Sequence, residues 1–464
     1  MDIAKDQVIA ANRFGLGARP GELAAIGADA RGWLLDQLDG PSSPPAAVRN
    51  LPSSAQVLAE FQAVRGARRP GAADPAARDK GQQIRGVLGP AYRDQVFARY
   101  RAAAATAQPF RERLVHFWTN HFAVSADKPP VTGLAGGLEN EAIRPRVTGN
   151  FADLLLAVER HPSMLLYLDN QASIGPNSRL ASRAARFRRG DRKLDINENF
   201  GREILELHTL GVDGGYTQAD VIGLATALTG WSVGGGQGRL RAGTPGEFEF
   251  RAAVHEPGTR RVLGKSYSQG GVDQGEAILR DLARHPATAR FIATKLVRHF
   301  VADDPSPAAV AAVAKAYQAS DGDLTATYTA LVSVPEAWRD ELTKWKTPHD
   351  YLISGLRALN AGPQRPRDVV GALMLMGQPA YRPGSPAGWP DRAPDWAGAD
   401  GLMKRIEWAT AVGARAGSGV DSVALGQAVL GSAFGDHSKT WISRAESRSQ
   451  ALALLLASPE FQRR

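Results

Sequence analysis

The sequence predicts a mainly α-helical protein, in which one large helical domain carries a small inserted β-hairpin. Apolar residues recur at helical spacing over about 86–232, and the same spacing resumes at Asp273 and continues to the end. Helix start signals accompany it, such as Thr217 followed by Asp220 ahead of an apolar run. Only the run 247–251 alternates apolar and polar residues as a half-buried strand does.

These signals divide the chain into four consecutive segments. Residues 1–50 form an N-terminal helical arm that ends in a Pro-rich linker, and residues 51–232 form a helical core. Residues 233–272 hold the β-hairpin, in which the alternating run is followed by a second short apolar strand. Residues 273–464 are the C-terminal helical half of the same domain.

Composition limits the chemistry that this chain can perform. The 464 residues are 43% hydrophobic and 22% charged, which is typical of a compact globular protein. With no cysteine, the chain has no disulfide, no thiolate metal site and no cysteine nucleophile, so any metal needs His, Asp or Glu ligands. No apolar run approaches the roughly 18 residues of a membrane span, and the first residues lack a signal-peptide pattern. We therefore expect a cytoplasmic protein.

The net charge of +9 permits binding to anionic partners, but the excess is spread along the chain. Its densest part, Arg179 to Lys193, has seven basic residues and only one aromatic side chain, Phe187, on which a base could stack. A flexible basic loop is the expected structure, and specific nucleic-acid binding is not expected. Standard nucleotide-binding and hydrolase signatures, including G-x-S-x-G and H-E-x-x-H, are absent from the sequence.

The densest polar patch lies in residues 195–211, which are predicted to form a capped helix that ends at Gly211. At about 100° per residue, four polar side chains share one face: Asn199, Arg202, Glu203 and Glu206. His208 falls on the opposite side with apolar residues. The face is either a salt-bridged surface, with Arg202 pairing Glu198 or Glu206, or part of a functional site.

A second polar patch lies in the helix predicted over residues 111–122. Glu112, His116 and Asn120 line one face, whereas His121 lies nearer the apolar residues. A histidine among aromatic side chains is more often a hydrogen-bonded core residue than a metal ligand.

Several motifs together resemble one bacterial family, known as domain of unknown function 1800. The resemblance covers nearly the whole chain, and five motifs carry it: Asn12–Gly21, His116–Phe122, Glu139–Arg144, Glu198–Gly211 and Leu455–Phe461. Members of that family are often exported and encoded beside proteins that resemble phosphatases and sulfatases. The resemblance thus implies a phosphatase- or sulfatase-like partner and makes the periplasm the alternative location. It also favours an inward-facing polar cluster on the 198–211 helix over a surface salt bridge.

We therefore expect a hydrolase-like or metal-assisted enzyme that acts on an anionic substrate. Its cleft would be lined by six side chains from two helices: Asn199, Arg202, Glu203, Glu206, His116 and Asn120. Glu203 would act as a general base or metal ligand, Arg202 would hold the anionic group, and His116 would relay a proton or bind a divalent metal. The alternative is a non-catalytic scaffold or polymer-binding protein, in which these residues form a buried ionic network.

Overall fold

The computed structural model describes residues 5–40, 43–66, 75–186, 196–235 and 243–464. The first thirteen α-helices, α1 to α13 in chain order, are Lys5–Ile9, Glu22–Ile26, Ala30–Leu35, Ala46–Arg49, Ser54–Gly66, Pro75–Ala105, Pro109–His121, Ala135–Gly137, Phe151–Glu159, Pro162–Tyr167, Arg179–Arg186, Glu198–Glu203 and Gln218–Ala227. After the strands, α14 to α24 are Val272–Arg284, Pro286–Phe300, Pro307–Ala319, Leu324–Val332, Pro348–Ala358, Pro366–Leu375, Ala393–Trp396, Ala399–Ala416, Ser422–Leu430, Asp436–Ser443 and Arg448–Ala457.

The described strands form two small antiparallel pairs between α13 and α14. Strands β1 (Trp231–Val233) and β2 (Phe248–Phe250) pair with each other, and β3 (Arg260–Val262) pairs with β4 (Lys265–Tyr267). The predicted fold class, mainly α with a small β insertion, is confirmed. The alternating run at 247–251 pairs backwards with β1, with Trp231 opposite Phe250, and the Trp231 ring packs diagonally against Phe248.

Helix ends follow the capping chemistry that the sequence indicates. Thr217 and Asp220 form a reciprocal capping box at the start of α13. His161 and His285, each followed by proline, cap the next helix by accepting a backbone N–H on ring Nδ1. These two histidines are therefore structural.

Among the described residues, three π-helical segments overlap the family-like motifs, at Ala10–Phe14, Leu138–Ile143 and Ile204–His208. A π-helical turn shifts the side chains that follow it relative to an α-helix and is often found at functional sites. Here the segments hold Arg13, Glu139 and His208, each of which is at most 1% exposed. The motifs thus coincide with places where the backbone brings a polar side chain into the core.

Helix α7 runs through the interior of the molecule. Trp118, and Phe122 directly after the helix, are fully buried. Its charged residues Arg111, Glu112 and Arg113 are buried as well. Because an unpaired charge cannot stay in an apolar core, these residues must meet partners on neighbouring elements.

Of the predicted basic loop, residues 179–186 form helix α11, and residues 187–193 lie outside the described residues. Within the described part of the chain, no helix is both long and apolar enough to cross a membrane.

Candidate functional site

A narrow cleft opens beside α7, with a cavity volume of about 80 Å³. The C-terminal part of α6, the middle of α7 and the start of α18 supply its polar wall. The loop 377–392 supplies most of the opposite side, with Pro383, Trp389 and Pro390 among its lining residues. A concave site that combines polar and apolar walls is the usual form of a small-molecule site.

Behind the polar wall, two carboxylates and two guanidinium groups form a buried network. Arg144 makes two bonds to the Glu112 carboxylate, of 2.5 and 2.8 Å, and reaches Glu139 at 3.3 Å. Arg99 of α6 reaches the other Glu139 oxygen at 2.7 Å, and Thr119 donates to that oxygen at 3.1 Å. Formal charge cancels within this network. The ionised acids are thereby held in fixed positions beside the cleft.

A chain of ionisable rings leads from this network to the cleft. His116 Nε2 lies 3.4 Å from Glu112 Oε1, and His116 Nδ1 lies 3.1 Å from His349 Nε2. The other ring nitrogen of His349, Nδ1, is hydrogen-bonded to the hydroxyl of Tyr100. His116, His349 and Tyr100 all line the cleft. We call Glu112, His116, His349 and Tyr100 the relay.

Burial sets the protonation states of the relay. Burial lowers the pKa of His116 and of His349, and nearby Arg99 lowers both further. Burial raises the pKa of the Tyr100 hydroxyl well above its usual range. Burial opposes ionisation of Glu112, but Arg144 and His116 together outweigh burial and lower the pKa of this carboxyl. At neutral pH the relay therefore consists of two neutral imidazoles and a neutral phenol beside one ionised carboxylate.

A second charged network lies at the other end of the cleft. Asp350, at the start of α18, pairs with Arg113 at 3.0 Å and with Arg464 at 3.2 Å. His299 of α15 lies 2.7 Å from Asp391 through Nδ1 and accepts from Arg113 at 3.2 Å through Nε2. Burial lowers the pKa of His299 to about 4, although Asp391 opposes the shift. Both ring nitrogens of His299 are thus occupied.

Asn120, predicted as a site residue, holds the loop 377–392 in place at the rim of the cleft. Its Oδ1 accepts from the Trp389 N–H at 2.8 Å, and its Nδ2 donates to the Trp389 carbonyl at 2.9 Å. Gly388, with φ of +83°, passes so close to the Asn120 backbone that a Cβ would lie 2.3 Å from its carbonyl oxygen. The geometry gives Asn120 a positioning role at the rim.

The predicted polar face of residues 198–208 lies elsewhere. Of the six predicted site residues, the cleft lining includes His116 and Asn120 but not Asn199, Arg202, Glu203 or Glu206. Arg202, 37% exposed, pairs with Glu198 at 3.5 Å and Glu206 at 3.6 Å, as the surface alternative predicts. Burial and neighbouring Glu206 raise the pKa of the half-buried Glu203. A catalytic role for these four residues stays a prediction.

On the other side of the same segment, His208 is fully buried. Its Nδ1 lies 2.7 Å from Oε1 of Glu159, which is also fully buried. His121 Nε2 contacts the His208 carbonyl at 3.1 Å, and its ring packs among Phe117, Trp118 and Phe122. These contacts place His121 and His208 in the core, as the sequence indicates.

A divalent metal at His116 and Glu203 stays a prediction. In the part of the chain that the structure describes, no group of three or more His, Asp or Glu side chains is arranged to hold a metal ion. The His116 ring instead lies between Glu112 and His349.

Sequence reasoning missed most residues of the cleft. His349 carries a detectable signal, because it lies in Thr347-Pro-His-Asp350, a helix start at which a polar group is held in place. Tyr100 and Arg99 are on a long helix with no local motif, and Tyr381 lies in an irregular loop. Only the folded chain brings these three together.

The chain belongs to the family described as Protein of unknown function (DUF1800), whose model matches residues 9–463. The comparisons with curated proteins and with solved structures found no match. The resemblance expected from the motifs is thus confirmed over nearly the whole chain. Since the family description states no reaction, function has to be argued from the cleft itself.

Proposed function

We propose that the cleft is the active site of a hydrolase-like enzyme that works by general acid–base catalysis through the relay. The observation that carries this proposal is the continuous contact from Glu112 through His116 and His349 to the Tyr100 hydroxyl in the cleft wall. Chains of ionisable groups with shifted pKa values are concentrated at active sites.

The relay provides a route for one proton. When the oxygen of a water molecule bonds to the substrate, Tyr100 oxygen takes the water proton while its own proton moves to His349 Nδ1. The Nε2 proton of His349 then moves to Nδ1 of His116, which becomes an imidazolium beside ionised Glu112. The reverse movement returns the proton to the leaving group. Tyr100 is the catalytic residue, and the histidines and Glu112 act through it.

A panel of chromogenic carboxylate, phosphate and sulfate esters tests this mechanism. We expect the wild type to turn over at least one class, and Tyr100→Phe and His349→Gln each to lower kcat by about 100-fold or more. Tyr317→Phe is the matched control, because it removes a buried hydroxyl that donates to the Ala283 carbonyl outside the cleft. Failure of the wild type on every class, or full activity of Tyr100→Phe, contradicts the proposal.

The second candidate is a non-catalytic scaffold. The two-bond Glu112–Arg144 pair supports it, because a buried, fully paired network also fixes how helices pack. A folded, ester-inactive protein in which Glu112→Gln strongly lowers stability would favour the scaffold.

A further inference from the structure

The cleft contains polar groups that the relay does not use. Among the described residues, neither Arg99 Nε nor the Tyr381 hydroxyl makes a hydrogen bond of normal geometry, although both atoms are buried and the two side chains interact with each other. Arg99 is 8% exposed and Tyr381 6% exposed, and both line the cleft. Leaving a buried donor without a partner costs about 1–3 kcal/mol, so a ligand that accepts from these two groups would recover part of that cost.

We infer that Arg99 and Tyr381 form a binding subsite for an oxyanion, so that the cleft takes a small organic phosphate, sulfate or carboxylate. The Arg99 guanidinium lies over the Tyr381 ring, 5.0 Å from its centre, so the two side chains are in contact in the cleft wall. A guanidinium N–H and a phenol O–H both donate to an anionic oxygen, and arginine matches the planar geometry of such groups.

The backbone at Tyr381 supports a built site. Its φ is +55°, a left-handed conformation that non-glycine residues seldom adopt. This conformation costs energy and persists only where the surrounding structure imposes it. Two contacts impose it here: the Ala126 N–H donates to the Tyr381 carbonyl at 2.7 Å, and the Tyr92 hydroxyl donates to the Ala380 carbonyl at 2.9 Å. Strain held in this way is concentrated at ligand sites.

The surrounding charges favour an anion over a cation. Glu139, the acid nearest Arg99, is already occupied by Arg99, Arg144 and Thr119, so its carboxylate has no free side for a cationic ligand. Arg99 keeps its charge, because Glu139, Tyr381 and Tyr100 together outweigh burial and raise the pKa of the guanidinium. An incoming oxyanion would therefore meet a charged group with an unpaired N–H.

The rest of the lining fits an organic group attached to that oxyanion. Apolar side chains form much of the remaining wall: Ala123, Val124, Ala135, Leu138, Ala380, Pro383 and Trp389. Arg99 precedes the catalytic Tyr100 on α6, which places the bound oxyanion near the proposed reaction. The inference rests on the proposed function for this relation only, because anion binding requires no catalysis.

The test is titration of the full chain with sodium phosphate, sulfate or acetate at constant ionic strength set with chloride. We expect at least one of these anions to raise the melting temperature saturably, as a ligand of the native state does. Tyr381→Phe should weaken that binding about tenfold, the loss of one hydrogen bond to an anion. Tyr317→Phe should bind as the wild type does. Comparing the three anions identifies the class of oxyanion.

Arg99→Lys should weaken binding at least as much as Tyr381→Phe; if that variant does not fold, the Tyr381→Phe result decides. The inference is overturned if none of the three anions acts more strongly than chloride, or if Tyr381→Phe binds with wild-type affinity. Tyr100→Phe separates the two proposals, because it should abolish ester turnover and leave anion affinity unchanged. Anion binding without ester turnover would support the subsite and contradict the proposed reaction. Ester turnover without anion binding would support the reaction and contradict the subsite.

Discussion

Two helix faces carry the same kinds of side chain at the same spacing but lie in opposite environments. The face of residues 198–208 pairs Arg202 with Glu198 and Glu206 at side-chain exposures of 26% to 42%. On α7, Glu112 and His116 are four residues apart in the same way, and both side chains are about 5% exposed. An i, i+4 charge pattern therefore indicates pairing without indicating burial.

The apolar residues around each helix distinguish the two cases. In residues 198–208, the buried Phe200, Ile204 and Leu205 leave the polar face open to solvent. In α7 apolar residues occur around much of the helix, so its charged side chains enter the core with them. An exposed ion pair such as Arg202–Glu206 contributes up to about 1 kcal/mol to stability. Breaking a buried pair such as Glu112–Arg144 costs about 3–5 kcal/mol.

The largest expected effect is therefore at Glu112. Glu112→Gln leaves Arg144 buried without its two-bond partner, and we expect the free energy of unfolding to fall by about 3–5 kcal/mol in chemical denaturation. The matched change Glu198→Gln, on the exposed face, should lower it by less than about 1 kcal/mol. Equal losses in the two variants would show that the environments do not differ as the structure describes.

The fold was predictable because it depends on local signals. Helical periodicity and caps such as Thr217 with Asp220 act within one or two turns, and they indicated the helices on either side of the strands. The pairing of β2 was not predictable, because it depends on β1, which precedes it by about fifteen residues in the chain. Long-range pairing leaves little local trace.

Buried and exposed histidines should also differ in how they affect stability in acid. Unfolded histidine binds a proton near pH 6.5, whereas His299 in the folded protein does so at about pH 4. Between these values the unfolded state binds more protons, so stability is lost as the pH is lowered from 6.5 to 4, by about 3 kcal/mol in total for this residue. His116 and His349, whose pKa values are also lowered, add to the loss.

Denaturation series between pH 7 and pH 4 measure this effect. His299→Gln should flatten the slope in that window. His437→Gln, at an exposed histidine on α23, should retain the wild-type slope. An unchanged slope in His299→Gln would contradict the buried environment of the ring.

A smaller effect is expected at the rim of the cleft. Asn120→Ala removes both hydrogen bonds to Trp389, and we expect a loss of about 1–2 kcal/mol in local stability. Amide exchange at residues 385–392 should become faster, whereas Asn140→Ala, which breaks bonds to the Gly136 carbonyl and to Arg144 Nε but none to the loop, should not affect it. Unchanged exchange in Asn120→Ala would mean that other contacts hold the loop.

The candidate site was only partly predictable, for the same reason as the strand pairing. His116 and Asn120 were found because they lie with Glu112 on one helix face, where sequence spacing reports neighbours directly. His349 and Tyr381 meet that face from more than 200 residues away. The unpartnered hydroxyl of Tyr381 depends on loop geometry that no local pattern encodes.

The smallest expected effect is at Glu203. Among the described residues it makes no ion pair, and burial raises the pKa of its carboxyl, so at neutral pH the charged form is held at a slight disadvantage. Glu203→Gln removes that charge and should leave stability within about 0.5 kcal/mol or increase it slightly. A fall of several kcal/mol would instead reveal a buried ion network at this helix. Because a residue with no role in catalysis would tolerate the change as well, turnover of the ester that the wild type cleaves is the second measurement. Activity kept within about twofold would remove Glu203 from the catalytic residues, whereas a loss of 100-fold or more would support the role predicted from the sequence.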